Sequence, residues 1–214
     1  MANHLYRDVI SVCGSAGHCF LRSDDAVAPF AGSVAVSVLH LRSAALLPLK
    51  TVPVSVPRGA AAFAYFCLGA GDAVAGTCQS VADALTAAGC AADGSDCVLR
   101  TTTTSSGSGE VKDDNWALLA TPARLAAAGS LPRANVTASV AGAPLPDGSV
   151  PVTVSTDAPA LLVVLTSLAQ GRFEPNLLTL QAAGATTVAF LPFQGFELEQ
   201  LVESLRVEHA AQFL

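Results

Sequence analysis

The chain has 214 residues, 51% of them hydrophobic and 13% charged, with a net charge of −6. That apolar content excludes wholesale disorder, and the acidic balance, with no arginine-rich run, excludes a nucleic-acid or anionic-membrane partner that needs cations to meet its phosphates. Much of the apolar content is alanine, so the core should be thin, and the length suits two domains of about a hundred residues each.

The opening Met1-Ala2-Asn3-His4-Leu5-Tyr6-Arg7-Asp8 has no basic stretch followed by an apolar core, so it does not read as a secretion signal. Either the protein is cytosolic or its true start lies upstream. The uncharged stretches at 59–71 and 158–171 fall short of the roughly 18 apolar residues that cross a bilayer as a helix. The six cysteines sit at local spacings, Cys13 to Cys19, Cys67 to Cys78 and Cys90 to Cys97. In an oxidising compartment these suit short-loop disulfides, in the cytosol buried thiols. Zinc is a third reading, disfavoured because no Cys-x-x-Cys or Cys-x-x-His spacing occurs.

In chain order, Val9-Ile10-Ser11-Val12 and Cys19-Phe20-Leu21 read as a strand pair around a glycine turn. From Gly32 the alternation is clean. Val34, Val36 and Val38 face one way and Ser33 and Ser37 the other, with His40 and Arg42 continuing towards solvent or the rim, as in a half-buried antiparallel strand. Val52 to Val56 alternates again, and Pro53 and Pro57, which lack an N–H for a ladder, confine it to a sheet edge or a bulge. The segment 60–68, with Phe63, Tyr65 and Phe66, is the next strand, and Val81 to Gly89 a short helix closed by a glycine cap. Cys97 to Thr103 is β-prone and runs into Ser105-Ser106-Gly107-Ser108-Gly109, which has the composition of a flexible linker.

After Asn115-Trp116-Ala117-Leu118-Leu119 comes an alanine-rich connection between Pro122 and Pro132. Strands resume with Val136, Ala138 and Val140, a Pro146-Asp147-Gly148 turn, and Val150, Val152 and Val154. In the last third, Leu161 to Leu165 and Thr186 to Phe190 are strands flanking one strongly specified turn, Gly171-Arg172-Phe173-Glu174-Pro175-Asn176. There Gly171 offers a positive φ, Pro175 fixes its own φ and restricts Glu174, and Asn176 bonds its own backbone. Glu197 to Val207 reads as an ordered C-terminal segment. Turn signals at about every eight to twelve residues predict an all-β chain of two tandem immunoglobulin-like antiparallel β-sandwiches, with at most one or two short helices.

Residues 160–214 resemble the C-terminal immunoglobulin-like domain of beta-mannosidases in glycoside hydrolase family 2. The matching features are the apolar strand before Gly171-Arg172-Phe173, Asn176, the Val188-x-Phe190 strand with Pro192, and the tail from Glu197-Leu198-Glu199-Gln200 to Ser204-Leu205. Asn115-Trp116-Ala117-Leu118-Leu119-Ala120-Thr121-Pro122 resembles the strand that closes the preceding sandwich in those enzymes, and Cys90 and Cys97, followed by Val98, resemble the cysteine pair upstream of it. The resemblance runs in order from Asp24 to the end. It implies a Cys90–Cys97 disulfide and makes 105–109 a hairpin loop inside the first sandwich, against its composition. It sets the domains at 1–122 and 133–214, with 123–132 as linker. It also gives Gly171, Arg172, Phe173 and Asn176 a structural or domain-contact role. Arg172 would bond carbonyls within its own turn or brace the domain beside the catalytic barrel.

The family's reaction, hydrolysis of terminal β-linked mannose with retention, needs two carboxylates about 5 Å apart. In the family both project from a (β/α)₈ barrel, which takes roughly 250 residues, more than this chain holds. None of Asn3, Asn115, Asn135 or Asn176 precedes a glutamate, as the family's acid/base requires, and the six glutamates lie at 110, 174, 197, 199, 203 and 208. The resemblance therefore implies a non-catalytic accessory region, inactive alone, with no catalytic residue, cofactor or metal. Its implied partners are a family 2 catalytic barrel in cis or trans and, through the whole enzyme, mannose-containing oligosaccharide. A lysosomal or secretory location follows if the chain is part of a full-length beta-mannosidase. The competing readings are a stand-alone carbohydrate-binding or protein-interaction sandwich, though one Trp and two Tyr leave little material for a sugar platform, and a cell-surface scaffold.

The remaining constellations have structural readings. His209 beside Glu208 is a surface or domain-contact residue, since no nucleophile accompanies it. Asp93-Gly94-Ser95-Asp96 is a turn without the bidentate glutamate of a calcium loop. Asp24-Asp25 and Asp113-Asp114 are solvated loop charges. Asn135-Val136-Thr137 is a glycosylation acceptor if the chain enters the secretory route.

Overall fold

The computed structural model describes residues 8–13, 18–25, 27–58, 61–68, 78–79 and 81–214. The chain divides into two compact units, Met1–Ser130 and Leu131–Leu214. The first holds β1 (Val9–Cys13), β2 (His18–Ser23), β3 (Phe30–His40), β4 (Ala45–Val56), β5 (Ala61–Leu68), β6 (Cys78–Gln79), helix α1 (Val81–Ala87), β7 (Cys97–Ser105), β8 (Val111–Leu118) and helix α2 (Pro122–Ala127). These strands make two four-stranded sheets, ordered β1-β2-β5-β6 and β4-β3-β7-β8. Among the described residues every pairing is antiparallel except β5 with β6, where Cys67 lies opposite Cys78.

Alternation builds this sandwich. Val34, Val36 and Val38 of β3 are buried and pack with Leu21, Val54, Val56, Leu85 and Leu99, and each such side chain contributes about 1.5–3 kcal/mol by leaving water. The proline-bearing strand lies at the sheet edge as expected, but it is longer: β4 begins at Ala45 and takes in Pro48 as well as Pro53. Helix α1 ends in a Schellman cap. Gly89 takes φ +79, its N–H reaches Thr86 O at 3.0 Å, and Cys90 N–H reaches Leu85 O at 2.8 Å, which hands Cys90 to its disulfide with Cys97. A second disulfide joins Cys13 to Cys19. The aromatic side chains of Phe63, Tyr65 and Phe66 lie outside the described residues.

Residues 105–109 form the β7–β8 hairpin loop rather than a flexible linker. Ser105 N–H bonds Glu110 O at 2.9 Å, Gly109 N–H bonds Ser105 O at 2.9 Å, and Ser106 N–H bonds Ala31 O at 3.0 Å. The alanine-rich connection is also ordered. Thr121 caps α2, Leu125 is fully buried, and Arg42 Nη2 donates to Ala128 O at 2.6 Å.

The second unit contains β9 (Val136–Val140), β10 (Val150–Thr156), β11 (Ala160–Thr166), β12 (Gly171–Glu174), β13 (Leu177–Leu180), β14 (Gly184–Pro192), helix α3 (Leu198–Ser204), β15 (Arg206–Glu208) and a 3₁₀ turn at Ala210–Gln212. One sheet is ordered β12-β14-β10-β9 and the other β13-β11-β15. Val150, Val152 and Val154 of β10 are fully buried and share one core cluster with Phe173, Val188 and Phe190 of their own sheet, Val163 and Leu165 of the other sheet, and Leu201 of α3.

The six-residue turn expected at 171–176 is mostly strand. Gly171 to Glu174 pair with Pro192 to Ala189 of β14, and Leu177 and Leu178 pair with β11. Only Pro175 and Asn176 are bent. Pro175 has no N–H for the ladder, so β12 stops there and the chain crosses to the opposite sheet. The tail supplies the third strand of that sheet, with Val207 opposite Leu165.

Candidate functional site

Each sequence-derived candidate has a structural position. Arg172 and Glu174, two apart and so on one face of β12, approach to 3.6 Å with both side chains partly buried. Arg172 thus faces a carboxylate. Phe173 points inward, 8% exposed, and meets Phe190 edge to face with ring centroids 5.0 Å apart. Gly171 lies beneath the Phe190 ring. Asn176 is exposed at the strand crossover. Asn135 is exposed immediately before β9, where its N–H donates to Asp157 Oδ1 at 2.7 Å, and Thr137 of the same acceptor pattern is also exposed.

Glycosidase chemistry needs a carboxylate pair sheltered in a cleft. Glu110, Glu197, Glu199, Glu203 and Glu208 are exposed, while the partly buried Glu174 faces Arg172. A groove of about 290 Å³ on the second unit is lined by residues such as Thr156, Leu180, Gln181 and Thr186, with no ionisable or aromatic side chain. It offers neither acid–base groups nor a stacking surface. The sole tryptophan is partly buried. Arg100 lies 5.2 Å above the Trp116 ring, held by two hydrogen bonds of 2.8 Å to Asp114, so one indole face already carries a cation.

Two acidic pairs behave differently from each other. Asp24 faces Arg22 at 2.7 Å on the surface and Asp25 accepts from Val27 and Ala28 N–H, as loop charges do. Asp113, expected in solvent, is 5% exposed and accepts from the backbone N–H of Ser11 at 2.8 Å. Asn115 donates to Ser11 O at 2.8 Å, and Ser11 Oγ donates to Thr101 Oγ1 at 3.1 Å. The network joins the edge strand β1 to the opposite sheet.

His209 is 4% exposed rather than on the surface. Burial pushes its pKa below the usual imidazole value, opposed in part by a bond to the Ala134 backbone, and Nδ1 has no hydrogen-bond partner among the described residues. The unfolded chain therefore binds a proton more readily than the folded one. This contribution to stability is complete above the unfolded value of about 6.5 and is lost as pH falls from there through the lowered folded value. Thermal midpoints measured from about pH 8 to 5 should fall on the acid side, and His209→Gln should flatten that fall.

Residues 131–213 match the family model of the mannosidase Ig-fold domain. The second unit is a mannosidase-type immunoglobulin-fold domain. The four-plus-three arrangement of its sheets and its inward Val and Phe side chains are the physical content of that assignment. The whole chain is also similar in fold to parts of two solved glycosidases. One is the exo-chitosanase CsxA of Amycolatopsis orientalis, at 12% identity and a TM-score of 0.58 over 95% of this chain and 25% of that one. The other is the beta-D-mannosidase of Dictyoglomus thermophilum, at 17% identity and a TM-score of 0.54 over 95% of this chain and 22% of that one. The chain thus spans about a quarter of the length of these structures. No curated protein matches it. Among the described residues no helix is long and apolar enough to cross a membrane.

Proposed function

We propose that the chain is a non-catalytic accessory region of a beta-mannosidase-like enzyme of glycoside hydrolase family 2, two sandwiches that support a catalytic barrel in cis or trans. The observation that carries the reading is the mannosidase-type domain at 131–213, in a chain whose glutamates are exposed or faced by arginine. The whole enzyme would release terminal non-reducing β-mannose. The domains would divide near Ser130, with α2 on the first. The disulfides and the exposed Asn135 acceptor fit a secretory or lysosomal route.

Purified chain assayed on a chromogenic β-mannoside should give no turnover above buffer, and titration with mannose oligosaccharides no saturable binding. Turnover would overturn the accessory reading, and binding alone would favour a carbohydrate-binding module. A coding sequence continuous with this one and carrying a barrel with an Asn-Glu pair is the expected genomic context.

A further inference from the structure

Antiparallel pairing of β3 with β7 sets His40 directly opposite Cys97, and Asp96 is the residue before it. His40 Nε2 lies 3.5 Å from Asp96 Oδ2, and ligand atoms of His40, Asp96 and Cys97 all fall within 4.8 Å of one another. Cys90, covalently joined to Cys97, brings a second sulfur to the same place. Tetrahedral zinc with ligand bonds of about 2.0–2.3 Å separates neighbouring ligand atoms by roughly 3.3–3.8 Å, a spacing the His40 and Asp96 pair already has.

We propose that reduction of the Cys90–Cys97 bond converts this cluster into a zinc(II) site with His40, Cys90, Asp96 and Cys97 as ligands. A disulfide and a metal ion are then alternative closures of the same loop. In the conversion a dithiol transfers two electrons and two protons to the sulfurs, leaving two protein thiols and its own disulfide. Zinc then displaces the two thiol protons to water, and two thiolates, one carboxylate and one neutral imidazole complete its shell. The proposal is independent of the accessory reading.

The surroundings suit a metal. The two cysteines are 0% and 6% exposed, while the His40 and Asp96 side chains, at 19% and 17%, leave a way in. Asp96 Oδ1 is engaged by the Ala91 N–H at 2.8 Å, which leaves Oδ2 to coordinate. Ligation through Nε2 places the imidazole proton on Nδ1, where Ser43 Oγ at 3.1 Å accepts it. The Ser43 N–H, which donates to Nδ1 at 3.3 Å in the disulfide-bonded chain, has to give up that contact on zinc binding, and the exposed position of Ser43 lets water replace it. The sequence hides the site because its histidine is brought in by strand pairing and not by local spacing.

The test uses the full chain, reduced with a phosphine, freed of reductant under anaerobic conditions and titrated with zinc chloride against a chromophoric chelator. The reduced chain should bind one more zinc ion than a Cys90→Ser/Cys97→Ser variant, a comparison that cancels the other thiols, and the oxidised chain should lack that ion. Cobalt(II) should give tetrahedral d–d absorption with a thiolate charge-transfer band. His40→Ala and Asp96→Ala, which keep both thiols and carry the test should the double variant fail to fold, remove a ligand outright and should each weaken binding by more than the roughly 10–100-fold that follows loss of a ligand's hydrogen-bond partner. No additional zinc on reduction, or His40→Ala titrating like the parent chain, would overturn the proposal.

Discussion

Gly171→Ala should destabilise the second unit by about 3 kcal/mol, at the upper end of ordinary overpacking. A methyl group there would enter the Phe190 ring and come within 2.7 Å of the Leu191 carbonyl oxygen. The ring cannot yield easily. Phe190 is 1% exposed, with Phe173 against it at 5.0 Å and Phe196 at 5.4 Å. Phe190→Leu alone should cost on the order of 1–2 kcal/mol, and the double variant should be less damaged than the sum because the smaller side chain makes room. Relief stays partial, since the carbonyl clash belongs to the backbone. Gly142→Ala, with open space around it and no positive φ, should be close to neutral and serves as the control. Thermal unfolding of the four variants beside the parent chain checks the series. An undisturbed Gly171→Ala would show that β12 does not pack as described.

The case of Gly171 shows where the sequence suggests the wrong reason for a glycine. Its glycine is noticeable, and a positive φ is the usual explanation, yet the residue sits in a paired strand opposite Pro192 and is small because a ring from the neighbouring strand covers it. Alternating strands such as β3 and β10 are legible because side chains on a pleated strand repeat every second residue and one face is buried. Strand β12 has only four residues, too few for that period to declare itself beside a proline. The loop at 105–109 deceives in the opposite sense. Its Ser and Gly content matches a linker, but hydrogen bonds to Glu110 and Ala31 fix it, and these depend on partners the local sequence does not contain. Likewise the absence of a glutamate pair is plain from residue order, whereas the gathering of His40 with Asp96 and Cys97 exists only once β3 and β7 are in register.

The second large effect concerns Asp113, whose neighbour Asp114 supplies the comparison. Strand β1 is a sheet edge, and an edge leaves backbone groups in need of partners. Asp113 and Asn115, two apart and therefore on one face of β8, engage the Ser11 N–H and C=O at 2.8 Å each, doing with side chains what another strand would do with amides. Asp113→Ala removes a charge-assisted bond and the acceptor for a buried N–H, an expected loss of about 3 kcal/mol or more. Asp113→Asn keeps one accepting oxygen and should lose roughly half of that. Asp114 makes bonds of the same length to Arg100 but has a side chain 37% exposed, so Asp114→Ala should cost less than about 1 kcal/mol. Trp116 is the only tryptophan in the chain and stands beside Asn115, so urea titration followed by its fluorescence reports on this unit. Equal midpoints for the Asp113→Ala and Asp114→Ala variants would refute the bridging role, because identical losses from a buried and an exposed aspartate mean that neither holds β1.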